Sequence, residues 1–80
     1  MTKTIRISDF DARKGVDVEL DESLAISKRK ADSILRRLGG AIGDDLMSGR
    51  YGAWRMIDGR TQRIGMYRMR NGGISFNFGE

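Results

Sequence analysis

Residues 51–78 read YGAWRMIDGRTQRIGMYRMRNGGISFNF, and how this run is divided into strands decides which side chains meet the core. Asp58-Gly59 and Asn71-Gly72-Gly73 are hairpin signals, because tight turns need positive φ and Gly, Asn and Asp tolerate it. They cut the run into three strands, roughly 51–57, 62–70 and 74–78. Taking Asn71-Gly72 as a two-residue loop sets Arg70 opposite Gly73, Met69 opposite Ile74, Tyr67 opposite Phe76 and Gly65 opposite Phe78. Alternation then assigns Trp54, Met56, Tyr67, Met69, Ile74, Phe76 and Phe78 to the core face. The opposite face receives Tyr51, Ala53, Arg55, Ile57, Ile64, Met66 and Arg68. Arg63 has the other parity and falls at the edge of the core face.

Residues 50–70 hold six arginines (Arg50, Arg55, Arg60, Arg63, Arg68, Arg70) against one acid, Asp58. In this register most of them line an open sheet face with apolar and aromatic residues between them. Arg50, Tyr51, Arg55, Arg60, Arg68 and Arg70 are therefore the expected partner-binding residues. Guanidinium groups pair with phosphates and carboxylates, and arginine and tyrosine are preferred anchors at protein interfaces.

The start of the chain reads in the same way. Residues 3–8, KTIRIS, place Ile5 and Ile7 on one face, and residues 16–20, VDVEL, place Val16, Val18 and Leu20 inward. The turn-rich DFDARKG joins them as a hairpin or as two neighbouring strands. Over residues 24–38, LAISKRKADSILRRL, the period changes to that of a helix. Leu24, Ala31, Ile34, Leu35 and Leu38 share one stripe. Ser23 or Ser27 is the expected N-cap, and Gly39-Gly40 the left-handed stop. Lys28, Arg29, Lys30, Arg36 and Arg37 lie off the stripe and form a second basic patch, of the kind that lies along phosphate backbones. Residues 39–49 are a glycine-rich connector with room for one short helical turn. The expected fold is one α+β domain over residues 1–80. A small antiparallel sheet, made of an N-terminal hairpin and a C-terminal three-stranded meander, packs on one main helix.

At 80 residues the chain has room for a small core, and it contains no cysteine, histidine or proline. Zinc sites of the usual kind, thiolate or Ser–His catalysis and a histidine pH switch are thereby excluded. GGAIGDDLMSGRYG lacks the phosphate-loop pattern, and Asp44-Asp45 reads as a solvated turn or helix start rather than a Mg²⁺ site. The expectation is a non-enzymatic protein without metal or cofactor. No apolar run suits a membrane or a secretion signal, so a cytoplasmic location in a bacterial cell is expected. Net charge is +4, with a net −4 over residues 9–22 and +6 over residues 23–80. That asymmetry points to an acidic partner, and to a monomer or a weak dimer in which unlike segments meet.

Residues 19–35, ELDESLAISKRKADSIL, resemble a helix-turn-helix. Leu20, Leu24, Ile26, Ser27, Ala31 and Ile34 stand where that pattern places core residues and the cap of the recognition helix. The resemblance implies that Lys28, Arg29, Lys30 and Asp32 face the major groove. Asp21 stands at a position that is normally small and buried, and VDVEL alternates like a strand.

The whole chain resembles the small anti-CRISPR proteins of phages and other mobile elements, which are single α+β domains that act by binding. KTIRIS with GVDVEL, LAISKRKADSILRRL and GGISFNF carry the likeness, which is one of architecture and composition and transfers no functional residue. It implies stoichiometric inhibition of a CRISPR effector complex by blocking target-DNA binding or nuclease recruitment. The second reading is a direct DNA- or RNA-binding module, including a helix-turn-helix-like regulator.

Overall fold

The computed structural model describes residues 3–10, 13–40 and 44–79. Its elements are β1 (Lys3–Asp9), β2 (Lys14–Leu20), β3 (Ala25–Ile26), α1 (Lys28–Arg37), β4 (Tyr51–Ile57), β5 (Arg60–Arg68) and β6 (Ile74–Asn77). Residues 11–12 of the first turn and 41–43 of the glycine-rich connector lie outside the described residues. In the rest of that connector, Asp45 accepts from the Met47 and Ser48 N–H groups in a single turn.

The N-terminal hairpin and the C-terminal meander form one antiparallel sheet of order β2-β1-β4-β5-β6-β3. Its two halves join where β1 pairs with β4, Arg6 opposite Trp54 and Asp9 opposite Tyr51. The edge strands β2 and β3 are consecutive in the chain, and that forces the sheet to curl. Laid flat, they would lie about 24 Å apart at ~4.8 Å per strand. The link from Leu20 to Ala25 reaches only about 18 Å when fully extended. Within the curl, Ile5, Ile7, Val18 and Leu20 pack with Tyr51, Ala53, Ile64, Ile74, Phe76 and Phe78. Ala31, Ile34, Leu35 and Leu38 of α1 belong to the same buried cluster.

The helix is shorter than the periodic run from which it was expected. Leu24 sits at φ 53 with its N–H donating to the Asp21 carbonyl, a turn that no helix continues through. Ala25 and Ile26 then pair with Ser75 and Ile74 as strand. Of the two candidate caps Ser27 is the one used, its hydroxyl accepting from the Lys30 N–H at 3.1 Å. Ser23 is instead bound to Asp21, whose carboxylate accepts from both the Ser23 N–H and its hydroxyl. These hydrogen bonds hold the Asp21 carboxyl below its ordinary pKa. At the other end Gly39 takes φ 81, and the Gly40 and Gly39 N–H groups reach the Leu35 and Arg36 carbonyls, a Schellman stop.

This arrangement corrects the helix-turn-helix resemblance. Residues 19–20 close β2 and 25–26 form β3, so no helix precedes α1 among the described residues. Lys28 and Asp32, two of the residues expected in a groove, form an i,i+4 ion pair at 3.3 Å.

The register of the meander also differs from expectation, by one residue. Asp58-Gly59 is a two-residue turn, φ 50 and 77, with Ile57 opposite Arg60. At the second turn, however, Met69 N–H donates to the Gly73 carbonyl and Gly72 N–H donates to Met69, leaving a three-residue loop, Arg70–Gly72. Gly72, at φ 87, takes the left-handed place that closes such a loop. Arg68 therefore faces Ile74, and Met66 faces Phe76. One extra loop residue reverses the parity of β5, and β4 follows it. Trp54, Met56 and Tyr67, expected inside, point outward, while Tyr51, Ala53, Ile64 and Met66 point to the core.

Candidate functional site

The reversed register redistributes the arginines. Arg55 and Arg68 lie on the core side, but at the ends of the strands, where a long side chain can reach past the core. Arg55 lies over the Phe78 ring at 4.9 Å, donates to the Phe78 carbonyl at 3.2 Å and to Gln62 Oε1 at 2.8 Å. Arg68 pairs with Asp45 and donates to the Gly72 carbonyl at 2.7 Å.

Arg50 holds Asp9, whose parity with Ile5 and Ile7 turns it inward. The Asp9 side chain is fully buried, with Arg50 Nε at 3.1 Å and Nη2 at 3.1 Å from Oδ2. Removing a carboxylate from water is costly unless a cation and hydrogen bonds replace the lost solvent, and Arg50 supplies both. Tyr51 is in the core at 1% exposure, and burial pushes its phenol above the ordinary pKa. Arg60 lies beside the Asp58-Gly59 turn, and Arg70 in the loop after β5, both exposed. The six residues expected to form one binding face therefore do not share one. Arg50, Tyr51, Arg55 and Arg68 support the fold, while Arg60 and Arg70 sit at separate turns.

The face that is open is the other one. Gly52, Trp54 and Met56 of β4 point outward beside Thr61, Arg63, Gly65 and Tyr67 of β5, and Thr4, Arg6 and Ser8 of β1 continue the same face. Large apolar groups are left in solvent there: Met56 is 66% exposed, Tyr67 55% and Phe10, at the end of β1, 43%. The Phe10 and Trp54 rings meet edge to face with centroids 6.0 Å apart. Arg63, expected at the rim of the core, lies over both of them, its guanidinium carbon 5.5 Å from the Phe10 centroid and 5.9 Å from that of Trp54.

Glycines let these rings lie close to the sheet. A Cβ at residue 52 would come within 2.6 Å of the Phe10 ring, and one at residue 65 within 3.0 Å of the Tyr67 ring. Between β1 and the β4–β5 ribbon runs an open groove of about 750 Å³ lined by Thr4, Ile5, Arg6, Ser8, Asp17, Trp54, Arg55, Met56 and Thr61. Arg6 and Asp17 close one side of it with an exposed ion pair at 3.2 Å. The outward positions of the strands carry Arg6 and Arg63 against Asp17 and Glu19, so this face is formally neutral.

The cations of α1 are arranged as expected: Lys28, Arg29, Lys30, Arg36 and Arg37 are all exposed, on the side away from Ala31, Ile34 and Leu35. The signal for the outer sheet face was present in the run Arg70-Asn71-Gly72 itself. Reading it as three loop residues moves Trp54, Arg63 and Tyr67 outward together.

Among the described residues no three acidic groups gather as metal ligands, and no helix is long and apolar enough to cross a membrane. Comparison with protein-family models, with curated proteins and with solved structures finds no match to the chain.

Proposed function

We propose that this is a small non-enzymatic binding protein that docks on another protein through the outer face of its sheet. The observation that carries the reading is the Phe10–Trp54–Arg63 cluster, flanked by exposed Met56 and Tyr67 on a formally neutral face. Trp, Tyr, Met and Arg are the residues enriched at the centres of protein interfaces. Exposing them together costs solubility, and a partner that covers them returns that free energy as affinity. The overall basic charge would speed encounter with an acidic partner, while the neutral apolar face would set the residence time.

Within this class the chain's architecture and composition favour an anti-CRISPR-type inhibitor. Such a protein occupies a surface on a CRISPR effector complex that target DNA or a recruited nuclease needs. The test is binding to a panel of purified CRISPR effector complexes, with target-DNA binding and cleavage as readouts. The expected result is stoichiometric inhibition that changes little between 50 and 200 mM salt and weakens at least 30-fold in Trp54→Ala, the loss typical of a central interface anchor, about 2 kcal/mol. Inhibition unchanged in both Trp54→Ala and Tyr67→Ala would overturn the sheet-face assignment. Absence of binding to every complex would remove the CRISPR effector as the target.

A further inference from the structure

The cations of α1 play no part in the reading above. Helical geometry arranges them in two rows on the solvent side: Arg29 with Arg36, and Lys30 with Arg37, each pair seven residues or about 10 Å apart. Among the described residues none of these four forms an ion pair, and Asp32 is matched by Lys28. The loop that carries Arg70 lies beside the helix, since a Cβ at Gly72 would come within 2.8 Å of the Lys28 side chain.

Two features separate this surface from an ordinary solvated helix. Its first turn holds three cations and no acid, against the favourable direction of the helix dipole. A face selected only for solubility would be expected to intersperse the two signs. No aromatic residue lies on α1, whereas single-strand binders combine cations with rings on which bases stack. The aromatic residues that reach solvent, exposed Phe10 and Tyr67 and half-buried Trp54, belong to the other side of the sheet.

We propose that the solvent face of α1 is a second binding surface, which takes the phosphate backbone of duplex nucleic acid without regard to sequence. Linear rows of cations without stacking groups match a regular double row of phosphates better than a flexible single strand. Because α1 packs on the inner side of the sheet, its free face is turned away from Trp54 and Tyr67. A protein partner and a duplex can then be held at the same time.

The experiment is fluorescence anisotropy with a random-sequence 20-base-pair DNA duplex, its single strand and poly-L-glutamate. Each is measured at about 50 and 200 mM salt, the range in which phosphate contacts reveal themselves. Four phosphate contacts predict that duplex affinity falls about 100-fold between the two conditions. Each of Arg29→Gln, Arg36→Gln and Arg37→Gln should flatten the slope by about one unit. Trp54→Ala should leave duplex binding unchanged, which separates this surface from the sheet face. The three arginines are exposed, and circular dichroism of each single variant checks that the fold is retained. The proposal is overturned if the duplex does not bind at 50 mM salt or if the slope survives all three substitutions. It is also overturned if single strand or poly-L-glutamate binds as tightly as duplex, since the surface would then be a site for any polyanion.

Discussion

The two sides of β4 and β5 both carry large apolar side chains, and only one side is buried. Toward the core point Tyr51, Ala53, Ile64 and Met66, with Ala53 completely buried; toward solvent point Trp54, Met56, Arg63 and Tyr67. The inner side chains share one buried cluster with Ile34, Leu35 and Leu38 of the helix, and that cluster holds Tyr51 as readily as Ala53. Hydrophobic size therefore does not identify the buried face of this hairpin; the number of residues in the next turn does.

The contrast can be broken most directly by truncating one residue on each side. Ile64→Ala should cost about 3 kcal/mol of unfolding free energy, since it empties a filled site in the core. Trp54→Ala should cost about 1 kcal/mol or less, because its ring is only partly covered. Urea denaturation decides between them, and a larger loss at Trp54 would restore the inverted register.

The next effect tests the inner face where it is charged. Arg50→Gln leaves the buried Asp9 carboxylate without its main cation and should destabilise by about 2 kcal/mol. That figure lies below the cost typical of a buried pair because the Arg50 side chain is itself 44% exposed. A loss no larger than that of an exposed ion pair would mean that other groups carry the Asp9 charge.

The smallest effect has the opposite sign. Tyr51 Oη is buried and has no hydrogen-bond partner among the described residues, so Tyr51→Phe should stabilise by about 1 kcal/mol. The same burial raises the phenol pKa, with Arg50 opposing and Asp44 and Asp9 adding to the shift. A raised pKa means that the folded state holds its proton longer than the unfolded state does. Stability linked to Tyr51 is thus intact below about pH 10 and is lost as pH rises through the folded value. In Tyr51→Phe that alkaline decline should flatten, which thermal melts from pH 9 to 11 would show. Equal slopes in the two proteins would mean that the phenol reaches solvent.

Much of this fold was legible because local rules acted alone. Ile5, Ile7, Val16 and Val18 alternate without ambiguity, Ser27 is one of the two serines that could cap the helix, Gly39 ends it and Asp58-Gly59 marks a turn. Leu24 fits a helical stripe as well as a turn, so only its pairing near β6 decides between them. The reading failed where two local solutions share one signature. Asn71-Gly72 suits a two-residue loop, and Arg70-Asn71-Gly72 suits a three-residue loop equally well. On local grounds the arginines favour the first, because the second places Arg55 and Arg68 on the core side. What settles the matter is long-range: Phe78 and Asp45 receive those two guanidinium groups at the rim. The candidate site inherited the error, since every member of the sheet face changes side with the register. The helix patch did not, because a helical stripe depends on no distant partner. A clue was present in β1, where Asp9 shares the parity of Ile5 and Ile7 and so required a cation inside.

The pairing of β1 with β4 also has a kinetic consequence. Hairpins such as β1–β2 and β4–β5 close in about 1–10 μs, because their strands are neighbours in sequence. Joining them brings together segments such as Asp9 and Arg50, 41 residues apart, and the loop entropy is lost before any contact rewards it. The charged pair sits at this junction, where the slow step must both dehydrate a carboxylate and find its cation. Refolding should therefore be limited by the docking of two early hairpins, and its rate should respond to residue 50 more than to any substitution within either hairpin.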